Sequence, residues 1–358
     1  MFNMSKIFKR HDEEAKLEGS RPQEGAVERS EDDAFQKTSE RKPEVKLSGA
    51  LNKELDKAEG KDAVKLYDEV LEKAKKIYAS DLTEKHHFAH EVNPVIEKVV
   101  DYPVAGSEDL VLAALKDYPD KESAFCHHIT NVTIISLRIG AALEYDRARL
   151  LELGLAAFVH DIGAKNIAAI EKAELFTEKD YDRIREHPAE SAKILEKMDA
   201  ELNGRVIEAV RQEHERVDGS GYPKGLIEDE ISEYAKVIGL ADVYEALVHD
   251  RPYREKYTSL DAMRMILNNK KTFSPKVIKG LILGVGVFPV GTLVSLNTKE
   301  VGVVVKRDPD HISRPIINII IDSSGKELKG PKRINLADSP VVYIDTCVKR
   351  KTEEAVAA

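Results

Sequence analysis

The sequence predicts a mainly α fold: a helical bundle with further helices before it and a small β module after it. Three observations carry this. From about Ser123 to Lys270 the apolar residues recur at helical spacing almost without interruption. After about Gly284 the period changes to the alternation of strands. Before residue 48, roughly half the residues are charged and the apolar ones stand alone, so the segment cannot bury enough surface to offset its ordering entropy and is expected to be disordered. The expected division is therefore a charged tail over 1–48, an N-terminal helical region over 60–120, the bundle over 121–283 and the β extension over 284–350.

Taken in order, Val64, Leu66, Tyr67, Val70, Leu71, Ala74, Ile77 and Tyr78 mark one face of a first helix. A second helical stretch runs to about Val100, and SEDLVLAALKDY begins a third at Ser107, a serine suited to an N-cap. In the bundle, ITNVTIISLRIGAALEY, RLLELGLAAFVHD and AKVIGLADVYEALVH read as helices with wide apolar faces. Between them, ERVDGSGYPKGLIEDEI is too rich in glycine to be helical. TLVSL, VGVVVK, PIINIIIDSSG and VVYID supply the strands. The uncharged run Gly280–Thr298 carries Pro289 and three glycines besides Gly291, so it reads as a helix end, a turn and a strand, not as a membrane span.

Composition narrows the functional classes. The 358 residues include 55 Lys and Arg against 64 Asp and Glu, a net charge of −9 that argues against a polybasic grip on duplex nucleic acid. Two cysteines, Cys126 and Cys347, can form neither a disulfide framework nor a thiolate zinc site. With no apolar stretch behind the basic residues at the N-terminus, no signal peptide is expected, and the cytoplasm is the expected compartment.

Chemistry concentrates at helix ends. His160-Asp161 closes a strongly apolar helix and can offer an imidazole nitrogen and a carboxylate to one ion, with the carboxylate free to bridge two. His128 lies on the helix that opens the bundle, His187 at a break where Pro188 is expected to start a new helix, and Glu213-His214 at another helix end. Asp242 is a single acid inside the apolar run VIGLADVYEAL, where an unpaired charge would be costly. Such a mixed nitrogen and oxygen pocket suits iron, manganese or another transition metal better than magnesium or calcium.

His160-Asp161-Ile162-Gly163, His187-Pro188, the run His214 to Pro223 (HERVDGSGYP), Ala241-Asp242-Val243-Tyr244 and Arg251-Pro252-Tyr253-Arg254 resemble, in order and spacing, the motifs of the HD-GYP family. That family is a subset of the HD metal-dependent phosphohydrolases, and the match spans about Ser123 to Ala262. The resemblance implies an HD-type helical bundle with two divalent transition-metal ions, iron or manganese, that hydrolyses cyclic di-GMP to pGpG or GMP. Carried over position by position, His128, His160, Asp161 and Asp242 would hold one metal, and Asp161 would bridge to a second held by His187, Glu213 and His214. Asp161 and His160 would then stand at the catalytic centre. His128 is preferred to His127, about 100° around the helix, because the family's His-x-x-Asn-Val register fits it. Arg251 and Arg254 are candidates for phosphate contacts, and Tyr222 and Asp218 for shaping the substrate pocket. In the family this loop is also proposed to recruit GGDEF-domain proteins.

Two positions depart from the family pattern. Glu213 stands where a histidine is usual, and Ala164 where a lysine is expected near a substrate phosphate, with Lys165 one residue beyond. These departures favour the alternative of a degenerate protein that binds metal, nucleotide or a GGDEF-type partner without turnover. A third metal is not expected, because Ala124 occupies the position of its glutamate. His86-His87-x-x-His90 reads as an exposed polar face, and Cys126 as packing.

Overall fold

The computed structural model describes residues 44–49, 51, 60–80, 86–103, 107–118, 122–164, 178–200, 202–251 and 254–350. Most of the charged tail, Lys165, Pro252 and Tyr253 therefore lie outside the described residues.

Among the described residues ten α-helices precede the main sheet: α1 (Lys61–Ala79), α2 (Phe88–Val100), α3 (Ser107–Ala114), α4 (Ala124–Ala142), α5 (Arg147–Val159), α6 (Glu178–Met198), α7 (Gly204–Gln212), α8 (Glu233–Val248), α9 (Ser259–Asn268) and α10 (Pro275–Gly284). Their apolar faces build one continuous core that runs from Ala63 to Val285. Helix α4 is its axis, packed against α1, α3, α5, α8 and α10. That position explains why it is buried on nearly every side from His127 to Leu137, polar residues included. Local signals set the helix ends. Asp146 caps α5 by accepting the Arg149 N–H at 2.8 Å, and Asn203 caps α7 by accepting from Arg205.

Helix α6 departs from the sequence expectation: it runs through Pro188 without stopping. Proline removes one helical hydrogen bond, leaving the carbonyl four residues earlier, Ile184, without its usual N–H. Here the His187 imidazole takes that carbonyl, Nδ1 to oxygen at 2.6 Å, so the helix continues with a side chain in place of a backbone donor.

Two close approaches bring the ends of these helices together. A Cβ at Gly239 on α8 would lie 2.1 Å from the Glu213 carbonyl, so only glycine lets α8 come this near the end of α7. At the end of α5, a Cβ at Gly163 would meet the Ser191 backbone nitrogen of α6 at 2.6 Å.

The C-terminal module is a five-stranded antiparallel sheet built from β2 (Leu293–Leu296), β3 (Val301–Lys306), β4 (Ile316–Ile321), β5 (Glu327–Asn335) and β6 (Ile344–Cys347), in the order β5-β4-β3-β2-β6. Alternation sends Val294, Val304, Ile317 and Ile319 to one face and Leu293, Val303 and Ile320 to the other. Residues 44–48 belong here, although the sequence placed them in the charged tail. Strand β1 (Glu44–Val45) pairs in parallel with β7 (Lys349–Arg350), and Leu47 is buried against the second face beside Val301 and Val348. Local periodicity cannot show a partner some three hundred residues away. The module is fixed to the bundle by Arg307, which donates to Glu108 at 3.0 Å and to the Leu283 carbonyl at 2.9 Å, and by the Lys349–Glu255 ion pair. No helix among the described residues is long and apolar enough to cross a membrane.

Candidate metal centre

Seven side chains from five elements meet at one end of the bundle. His128 comes from α4, His160 and Asp161 from the end of α5, His187 from α6, Glu213 and His214 from the end of α7, and Asp242 from α8. All four imidazoles turn Nε2 inward. His128 Nε2 lies 3.4 Å from Asp242 Oδ1 and 3.7 Å from Asp161 Oδ2. His160 Nε2 is 3.4 Å from Asp161 Oδ2 and 3.7 Å from Glu213 Oε2. His187 Nε2 is 3.1 Å from Asp161 Oδ1 and 3.5 Å from Glu213 Oε1. Two overlapping donor groups result, His128-His160-Asp161 and Asp161-His187-Glu213-His214, with donor atoms in each within 4.8 Å of one another. Asp161 is common to both.

The donor chemistry fits cations. Nδ1 of His160 faces the Ala157 carbonyl at 2.7 Å and Nδ1 of His187 faces that of Ile184, so both Nδ1 atoms carry the proton and Nε2 is the atom left for a ligand role. The Nε2 atoms of His187 and His214 stand only 3.1 Å apart. Two imidazole lone pairs would repel at that distance unless a proton or a metal lies between them. His160 Nε2, Asp161 Oδ1 and both Glu213 carboxylate oxygens are buried without a hydrogen-bond partner, which is costly for polar groups unless a cation satisfies them.

Electrostatics point the same way. Burial works against the charge of Asp161, yet His160, His187 and His128 hold its carboxyl well below the usual range. Burial likewise opposes a charged His187, but Asp161 and Glu213 outweigh it and push the imidazole up to about 10. His160 is raised in the same way, with Glu213, Asp161 and Asp242 overcoming its burial. Glu213, fully buried, is pushed up by desolvation, and His214 is pressed well below the ordinary histidine value by burial beside His187 and Arg216. The cluster thus holds anionic oxygen in a dry site and favours positive charge at the imidazoles.

The substrate candidates divide. Tyr222 is brought in, its ring stacked on His214 at 4.8 Å between centroids. Arg251 is also brought in, its Nη2 lying 3.5 Å from His128 Nδ1. Arg254 is not: its guanidinium donates to the carbonyls of Ala246, Leu247 and Glu255 and covers the Tyr257 ring, so it closes the end of α8. Asp218 is not either, since its Oδ1 accepts from Ser220 N and Oγ in an exposed turn. The loop around Tyr222 is instead organised by Glu215, whose carboxylate accepts from Lys224 N at 2.7 Å and Leu226 N at 2.9 Å.

His127 turns away from the cluster, with Nδ1 2.9 Å from the Tyr67 hydroxyl and its ring against Tyr118. Ala164 is buried at 2 % exposure. His86 sits ahead of α2, stacked on Phe88, and so does not share a helical face with His90. One residue beside the cluster was missed from sequence: Glu245, three residues after Asp242 on the same helix, fully buried, with His128 Nδ1 2.6 Å from its Oε2. Burial opposes its charge, but His128, His249 and Arg251 hold the carboxyl well below its ordinary value. The available signal was its i, i+3 spacing from Asp242 inside an apolar run.

A helical bundle with histidines and carboxylates gathered at one end is the arrangement of HD-type folds. The chain carries an HD domain: residues 114–277 match the HD domain family, and residues 293–355 match the KOW domain associated with HD domain. It is 28% identical over 243 residues to the cyclic di-GMP phosphodiesterase PA4108 of Pseudomonas aeruginosa, covering 67% of this chain and 57% of that protein. It is also 28% identical over 216 residues to the cyclic di-GMP phosphodiesterase PdeB of Borreliella burgdorferi, covering 60% and 56%. The chain thus spans less than two thirds of the length of these curated relatives. Among solved structures, Bd1817, an HDG"Y"P protein from Bdellovibrio bacteriovorus, shares the fold, with a TM-score of 0.51 at 18% identity over 64% of this chain and 76% of that one. The HD-GYP resemblance read from the motifs holds.

Proposed function

We propose that this protein is a metal-dependent phosphodiesterase that hydrolyses cyclic di-GMP to pGpG, to GMP, or to both. The observation that carries the reading is the set of buried, unpartnered donor atoms on His160, Asp161 and Glu213, facing His187 and His128 across a few ångströms. The relatives named above, both cyclic di-GMP phosphodiesterases, supply the substrate class. His128, His160, Asp161 and Asp242 would hold one divalent ion, and Asp161, His187, Glu213 and His214 a second. Four imidazoles with three carboxylates favour iron or manganese. Bound there, the ions supply Lewis acidity toward phosphoryl oxygen and lower the pKa of water into the neutral range.

The chain's own residues do the rest. Asp161, ionised and shared, ties the two donor groups into one unit. Arg251, beside His128 and held by Glu245, is placed to contact a phosphate through its guanidinium fork. Tyr222 offers an aromatic wall next to His214 against which a guanine can stack. The exposed side of the same loop, where Ile227 is open to solvent, is the surface on which a GGDEF-type partner would be recruited. Neither Cys126 nor Cys347 is in a disulfide, which suits work in a reducing cytoplasm.

The buried Glu213 and Ala164 keep a second reading in view, nucleotide binding without turnover. The test is to load purified protein anaerobically with iron(II) or manganese(II) and incubate it with cyclic di-GMP. Chromatography should show a linear dinucleotide or GMP, and Asp161→Ala should abolish it. Tight nucleotide binding without product over hours would establish the non-catalytic reading instead.

A further inference from the structure

Glu245 has no part in the assignments above, yet its carboxylate is the most heavily contacted acid near the cluster. It is fully buried on α8, and five groups converge on it. His128 Nδ1 and Arg251 Nη2 reach Oε2 at 2.6 and 2.8 Å. Asn131 Nδ2 at 3.2 Å, His249 Nδ1 at 3.0 Å and the Tyr118 hydroxyl reach Oε1. Arginine and amide N–H groups can only donate, so both oxygens act as acceptors. With five groups converging on one carboxylate, the geometry favours the imidazole as the donor in the short contact to His128, with its proton on Nδ1. Nε2, the atom that faces Asp161 and Asp242, is then the lone-pair nitrogen.

Helix geometry explains why an outside carboxylate is needed here. His160 and His187 fix their Nδ1 protons on backbone carbonyls, one at a helix end and one released by Pro188. His128 lies inside α4, where the neighbouring carbonyls already accept helical N–H groups. Its Nδ1 turns instead to Glu245 on α8.

We propose that Glu245 is the positioning residue of the His128 side of the site: one carboxylate oxygen orients His128 toward the ion and anchors Arg251, so that the metal ligand and the candidate phosphate-binding arginine are held as a unit. The proposal rests on the two-ion reading above, though not on the identity of the substrate.

The test is a cobalt(II) titration of the full chain after metal removal, followed by its visible absorption bands and by equilibrium dialysis, together with thermal unfolding of the metal-stripped proteins. Wild type should take up two ions. Glu245→Gln should keep one tight ion and bind the other roughly 10–100-fold more weakly, as is typical when a partner of a ligating histidine is removed. Glu245→Asp, shorter by one methylene but still anionic, should lose less at that same ion than the isosteric amide does. It also decides the question if the glutamine variant does not fold. A wild-type affinity for both ions in either variant overturns the proposal. So does a loss in the two variants that follows their loss of thermal stability with no preference for the anion, which would mark Glu245 as packing alone. If wild type takes up no cobalt, the proposed function falls with it. If wild type binds two ions and the variants do as well, only the role of Glu245 falls.

Discussion

The two halves of the proposed metal centre share Asp161 but hold their imidazoles by different means. On the α4 and α8 side, His128 is oriented by a buried carboxylate that also holds Arg251, Asn131, Tyr118 and His249. On the α6 and α7 side, His187 is oriented by its own helix, through a carbonyl that Pro188 leaves open, and His214 is flanked by the Tyr222 ring. The first half depends on tertiary charge and the second on local backbone. A ligand in mid-helix needs a partner from another element, whereas one at a helix end or beside a proline finds a carbonyl nearby.

The most severe way to break this comparison is to remove one imidazole from each side. His128→Ala and His214→Ala should each lower metal content from two ions to one, measured by elemental analysis of dialysed protein. The ion retained should differ between them, so the double variant should bind none. If either single variant loses both ions, the halves are not separable and the comparison collapses.

A smaller effect is expected from protons. Asp161 and Glu213 push His187 up to about 10 against its burial, so in metal-stripped protein at pH 7.5 this imidazole carries a proton that an incoming ion must displace. Metal binding should therefore release protons, and affinity should fall as pH is lowered. Calorimetry in two buffers of different ionisation enthalpy measures the release directly. Equal heats in the two buffers would show that His187 is neutral before the metal arrives.

Much of this was legible in the sequence, for identifiable reasons. His160-Asp161 and Glu213-His214 could be read because they stand at helix ends, His187 because it precedes Pro188, and Asp242 because it is an isolated acid in an apolar run. Glu245 shares that run but was passed over, because its meaning lies in contacts with Tyr118 and His128, more than a hundred residues away. Arg254 carried the expected residue type, yet its place at the end of α8 gives it three carbonyls to satisfy. Strand β5 escaped notice because ELKGPKRIN lacks apolar alternation. It forms at the edge of the sheet, paired with β4 alone, where charge and proline are tolerated.

Pro188 offers the finest test of the contrast between the halves. A proline within a helix costs about 3 kcal/mol relative to alanine, so Pro188→Ala should stabilise α6 and raise the thermal midpoint of metal-stripped protein. The new backbone N–H would also compete for the Ile184 carbonyl that now accepts from His187 Nδ1. His187 would then lose its fixed orientation, and affinity for the second ion should fall several-fold, less than the roughly 10–100-fold expected when a side-chain partner of a ligand is removed. The ion on the His128 side should be unaffected, because its imidazole is held by Glu245 and not by α6. Stability and metal affinity moving in opposite directions is the signature of a site that uses a local defect to aim a ligand. A raised midpoint with unchanged affinity at both ions would mean that His187 is held by its packing and that the carbonyl contact is incidental.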